Sequence, residues 1–221
     1  MVDPASLLGF VPDGLGTLDP TARKIVTAAR ICFTDSGFAD TTMQRIADAA
    51  GVGVATVYRR FGHKQQLVRL AIMDEALRVA TLLAEVADHT TSPEDTIVEV
   101  FTTFVHAASA PKLLTRSIRE SPAAGELSAF LTNEAAIAVA RMLVTAHLDR
   151  WQTSGELSAD LDTAVLGEMI ARLMMSLVET PESVIPVQNV DRARDFARSY
   201  LVPLVQTWRT QPFTARRPAP G

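Results

Sequence analysis

Between positions 53 and 64 the chain reads GVATVYRRFGHK, a set of side chains suited to holding a polyanion rather than breaking a bond. Arg59 and Arg60 each carry a planar fork of donors that matches phosphate or the edge of guanine. Thr56 and Tyr58 add hydroxyls that can reach a phosphate or a base, and the methyls of Val54 and Ala55 suit thymine methyls. Gly53, Val54 and Ala55 are small, so a helix starting there can enter a major groove deeply. Thr41, Thr42 and Arg45 stand where a preceding helix would cross the backbone. Arg45 could equally pair with Asp48 along its own helix. His63 and Lys64 open the next helix, where free amides and the helix dipole favour an anion. The competing reading of Arg59 and Arg60 is a solvated basic face.

Catalytic chemistry has no comparable pattern. The chain has no G-x-S-x-G, P-loop, H-E-x-x-H or G-x-G-x-x-G context. Asp160 and Asp162 are neighbouring acids, but they precede an apolar helical pattern and read as caps. His89, His106 and His147 are too scattered for a shared metal site. Cys32, the single cysteine, sits on an apolar helical face and reads as a small core residue. No enzyme, metal or cofactor is expected.

The elements that must position the basic residues are helices. Asp19-Pro20 is a helix start, and Ile25, Ala29, Cys32 and Phe33 follow at helical spacing until Gly37 stops the helix. A short helix capped at Thr41/Thr42 places Met43, Ile46, Ala47 and Ala50 on one face and ends at Gly51. A second short helix runs from about Val54 to Arg60. Ile46, Val52, Val57 and Phe61 are spaced to pack inward, and Gly51 supplies the positive φ of a tight turn. This is a helix-turn-helix. A long helix is expected from Lys64 to Asp88, and another from Ser92-Pro93 to Ala108. Pro111 opens a shorter one, and Pro122 and Gly125 mark a loop. A helix ending near Thr153 and amphipathic segments over Asp160–Glu179 and Asn189–Trp208 complete the chain. Pro203 should kink or shorten the last.

The 221 residues are 48% hydrophobic but only 6% aromatic, a composition that leans helical. The fold class expected is all-α, about nine helices. Residues 1–18 read as a flexible arm, 19–66 as the helix-turn-helix domain, 67–209 as a larger bundle and 210–221 as a disordered tail. Charge follows this division: residues 20–66 hold seven Lys/Arg against three Asp, while 67–221 hold 14 against 19 acids. Only the first unit is suited to a polyanion. No apolar run approaches the roughly 18 residues of a membrane span, and the N-terminus does not read as a secretory signal. A soluble, cytoplasmic protein is expected, with no membrane partner.

The stretch from about Ala22 to Leu70 resembles the DNA-binding domain of the tetracycline-repressor (TetR) family of bacterial regulators. The resemblance lies in the ordered set Phe33, Gly37, Thr41-Thr42, Ile46-Ala47, Ala50-Gly51-Val52, Val57-Tyr58, Phe61, Lys64 and Leu67. His63 stands where the family often has Ser or Pro, and Val54 and Ala55 where it often has polar residues or glycine. The resemblance implies a homodimer on a palindromic operator, most simply a repressor, released by a small molecule in the C-terminal bundle. A subset of Phe101, Phe104, Phe130, Met142, Trp151 and Met174 could line that site, although most such residues are ordinary core. Val165, Met169, Leu173, Leu177, Phe196, Tyr200 and Leu204 lie on the helices that would form the dimer interface; internal packing is the alternative. Two other readings stay open: a small-molecule-binding bundle without DNA regulation, and a helical enzyme.

Overall fold

The computed structural model describes residues 18–109, 134–179, 184–185, 189–204 and 206. Among them are eight α-helices and no strand: α1 Pro20–Asp40, α2 Met43–Ala50, α3 Val54–Phe61, α4 Lys64–His89, α5 Pro93–Ser109, α6 Glu134–Thr153, α7 Thr163–Glu179 and α8 Val190–Phe196. The arm, the segment around Pro111, Pro122 and Gly125, Phe130 and the tail from 210 lie outside the described residues, except that Leu18 packs on the main core.

Local sequence sets each helix end. Asp19 Oδ1 accepts from the Ala22 amide at 2.9 Å, with Pro20 at the first helical position of α1. At Gly37 the backbone turns to φ 73°, and one further turn carries Phe38 back beneath Phe33, ring centroids 6.1 Å apart. Thr42, His63 and Asn189 cap α2, α4 and α8 through their side chains. Ser92, just before α5, and Asp95, in its first turn, bond reciprocally. Asp162 Oδ1 accepts from the Val165 amide at 3.0 Å, so α7 starts at Thr163, and Asp160 belongs to the preceding turn.

The main core joins the N-terminal helices to the bundle. Ile25, Val26, Ile46, Val57, Leu67, Val68, Ile72 and Val105 are almost wholly buried in it. Its members on α4, from Leu67 to Ile72, show that this helix serves the N-terminal unit first and then runs on beneath α5. Twenty-six residues make α4 about 39 Å long, enough to link the two parts rigidly. A smaller cluster of Leu148, Leu157 and Leu166, covered by Trp151 and Ile170, holds α6 against α7. These two helices approach closely at Gly167, where a Cβ would lie 2.2 Å from Thr145 Oγ1. Pro203 does not end the last helical run. Residues 197–201 widen to a π-turn and 202–204 continue as helix. A wider turn just before a proline relieves the clash of its ring with the carbonyl four residues back.

Candidate nucleic-acid interface

The turn between α2 and α3 is tight because Gly51 adopts φ 63°, and its amide and that of Val52 bond back to the end of α2. Gly53 then caps α3. Val57 and Phe61 are buried on the inner side of α3, at 0% and 7% exposure. The outer side carries Ala55, Tyr58, Arg59 and Arg60, all exposed. Tyr58 is 52% exposed, and Arg59 makes no ion pair among the described residues. Thr56 is half-buried at the edge. Val54 is also half-buried and packs on the core, so it faces outward less than its place in the sequence suggests.

Two residues expected at a phosphate have other work. Thr41 is fully buried, and its hydroxyl donates to Gly37 O at 2.7 Å and Cys32 O at 3.0 Å. Those carbonyls belong to the broken end of α1, which needs donors where Gly37 interrupts the helix. Lys64 Nζ donates to Phe38 O at 2.7 Å and Thr41 O at 2.9 Å, and lies 4.1 Å from the Phe38 ring centroid. Burial pushes the Lys64 ammonium below its ordinary pKa, against the pull of Asp40. Lys64 therefore pins the α1–α2 corner to α4 rather than offering a free cation. Two of its three ammonium donors are used in this way.

The remaining candidates keep access. Thr42 is exposed and accepts from the Arg45 amide at 3.1 Å. Arg45 is exposed, while Asp48, its expected partner, accepts from Gln44 at 2.8 Å. His63 is exposed, with Nδ1 accepting from the Gln66 amide at 3.3 Å. Arg60 is engaged by Asp19, the cap of α1, in an ion pair that joins residues 41 apart. Only the folded geometry brings that pair together.

In the bundle the expected ligand-lining residues divide. Phe101 and Phe104 are buried, and Met174 packs on the same main core. Trp151 belongs to the second cluster, and Met142 is half-buried on α6. Thr102 Oγ1, on α5 beside Phe101, is buried without a hydrogen-bond partner among the described residues. Sequence reasoning had no signal for it, since its hydroxyl lies on an apolar face. Nearby, Glu75 on α4 is buried and accepts from Arg30 Nη1 at 3.2 Å and from Arg78 at 2.7 and 2.9 Å. It ties α1 to α4, a link that spacing along the chain does not reveal.

The expected dimer residues divide too. Val165, Met169 and Leu173, one turn apart on α7, are 55%, 63% and 42% exposed, and Tyr200 and Leu204 are also exposed. Leu177 is buried inside the main core, and Phe196 is half-buried with its ring between Phe101 and Tyr200. Within one chain both are packing residues, Phe196 because α8 folds back onto α5 and Leu177 as a member of the main core. Cys32 is buried, as a core residue should be. Among the described residues no helix is long and apolar enough to cross a membrane, and no group of three metal-ligating side chains converges.

Residues 25–71 match the family described as Bacterial regulatory proteins, tetR family. The HTH-type transcriptional regulator UidR of Escherichia coli is 26% identical over 180 residues, 81% of this chain and 88% of that protein. Among solved structures, the TetR family repressor AlkX of Dietzia, implicated in biodegradation of n-alkanes, superposes with a TM-score of 0.63. It is 20% identical, over 84% of this chain and 97% of that one. FadR of Bacillus subtilis in complex with stearoyl-CoA superposes at 0.53, 19% identical, over 82% and 96%.

Proposed function

We propose that residues 25–71, which match the tetR family of bacterial regulatory proteins, are a DNA-binding domain, and that the whole chain works through it. Two copies associate and present paired α3 helices to successive major grooves of a palindromic operator in the cytoplasm. Binding represses transcription, and a small molecule held in the bundle releases it.

The observation that carries this reading is the exposed outer face of α3. A short helix with Ala55, Tyr58 and Arg59 outward, fixed by Val57 and Phe61 beneath, is shaped for a groove and charged for its walls. Thr42, Arg45 and Thr56 flank it as phosphate contacts, and Gly53 keeps its start slim. A bundle that had lost DNA binding would have no use for such a face, so the non-DNA alternative finds no support.

The stripe Val165, Met169 and Leu173, continued by Tyr200 and Leu204, is the proposed dimer face. Symmetric pairing buries the same apolar patch on both copies, and separates the two α3 helices by about 34–36 Å on the operator. The ligand reading rests on the likeness to a regulator holding stearoyl-CoA; Phe101, Phe104 and Met174, packed in the main core, and the buried Thr102 hydroxyl without a partner among the described residues are its candidate contacts. The relatives named above are a transcriptional regulator, a repressor and a regulator in complex with stearoyl-CoA, which supports a regulator over an enzyme.

The test is Arg59→Ala. Operator binding followed by fluorescence anisotropy should weaken, and the slope of log affinity against log salt should become shallower by about 1.8, one phosphate contact from each of the two chains. An unchanged slope and affinity would remove α3 from the interface.

A further inference from the structure

Asp19 caps α1 and at the same time holds Arg60 of α3 in an ion pair. We propose that Asp19 is a positioning residue that restrains DNA binding by neutralising one arginine of the docking helix. The inference rests on the DNA-binding reading above and adds a regulator of its strength. The geometry makes the restraint effective. Asp19 Oδ1 is fixed by the Ala22 amide at 2.9 Å, and Pro20 rigidifies the backbone behind it. The second oxygen, Oδ2, is the one that meets Arg60. Half of the pair is thus already ordered, so the usual entropic cost of an exposed ion pair is reduced. The same hydrogen bond from Ala22, and then Arg60 itself, hold the Asp19 carboxyl below its ordinary pKa, so it is anionic throughout the neutral range. The two side chains remain 48% and 33% exposed, so the arginine is reachable by a phosphate, but only in competition with a carboxylate already in place. Arg59, the preceding residue, has no such competitor among the described residues. The two arginines of one helix turn therefore serve differently: Arg59 as an open contact, Arg60 as a masked one.

Asp19→Asn isolates the effect, because asparagine caps a helix about as well as aspartate while losing the charge. The probe is a mixed-sequence DNA duplex, titrated with the full chain across a salt series, with thermal melting as the check on folding. The variant should melt at the wild-type temperature and bind more tightly at low salt. Its log–log salt slope should be steeper by about 1.8, one added contact per chain of the pair, so its advantage over wild type falls roughly twelvefold between about 50 and 200 mM salt. The added slope should vanish in Asp19→Asn/Arg60→Ala. An unchanged slope in Asp19→Asn would make the residue a helix cap only. Weaker binding by Asp19→Asn would mean that the pair instead holds Arg60 ready for DNA. Either result overturns the proposal. If wild type binds the duplex with no salt dependence, the DNA-binding reading itself fails, and the restraint with it.

Discussion

The carbonyls of Phe38 and Thr41 converge on Lys64 Nζ, and the Thr41 hydroxyl reaches Gly37 and Cys32 behind them. Both residues sit beside the docking face in sequence, and both are turned into the corner between α1, α2 and α4. The reason is the break at Gly37: a helix interrupted there leaves carbonyls that need donors, and these two residues supply them. Lys64→Met should therefore destabilise the protein by roughly 1–3 kcal/mol in urea unfolding. The salt slope of its DNA binding should match wild type. A variant that stayed as stable but lost slope would return Lys64 to the phosphate contacts. A sequence pattern shows which residues can donate, but not which acceptor lies nearest. That is why Val57 and Phe61 were legible as inward residues and Tyr58 as outward, while Thr41 and Lys64 were not. Burial follows helical periodicity; polar partnership here depends on carbonyls 23 and 26 residues earlier, exposed by the break at Gly37.

At the scale of elements, the caps and the positive-φ glycines define the helices, and their types alone locate the helix-turn-helix. Asp19, Thr42 and Gly51 are all seen in the roles their chemistry suggests. The last helix was less legible, because the widened turn at 197–201 depends on how α8 lies on α5, through Phe196 against Phe101 and the Arg194–Glu99 ion pair. Periodicity along α7 places Val165, Met169, Leu173 and Leu177 on one stripe. Only packing tells that Leu177 is covered by the chain itself while the first three are left open. If that open stripe meets a second copy, Met169→Asp should convert the protein to a monomer in analytical ultracentrifugation without lowering its helical content. A sedimentation coefficient unchanged by the substitution would place the interface elsewhere. The monomeric variant should also bind operator far more weakly, since each half-site then binds alone.

At the scale of the whole molecule, α4 is the physical link between the DNA-facing unit and the bundle. Near its start Lys64 and Leu67 join the N-terminal helices. At its middle Glu75 draws Arg30 of α1 and Arg78 together. Near its end Asp88 meets His147 and Arg150 of α6. The His147 ring donates from Nδ1 to Leu143 O, 3.1 Å away, since a carbonyl only accepts, so Nδ1 carries the proton. Nε2 is then a bare lone pair 3.5 Å from the Asp88 carboxylate. Burial, with Arg150, pushes the His147 pKa below its ordinary value, although Leu143 and Asp88 pull the other way. The unfolded chain then takes up its proton at higher pH than the folded one. Stability contributed by neutral His147 is present above about pH 6.5 and is lost as the pH falls through the lower folded value. Acidifying from about pH 7.5 to 5.5 should lower the melting temperature, and His147→Gln should flatten that dependence. An identical pH profile in the variant would exclude the histidine as its source.

The account stands on α3 reading DNA as one of a symmetric pair, and selection of bound duplexes from a random-sequence pool tests that most directly. The prediction is enrichment of an inverted repeat whose half-sites lie about one helical turn apart, occupied by two chains, with Arg59→Ala weakening binding across the whole pool. A pool from which no sequence is enriched, or one in which a lone half-site binds a single chain as tightly as the repeat, would contradict it.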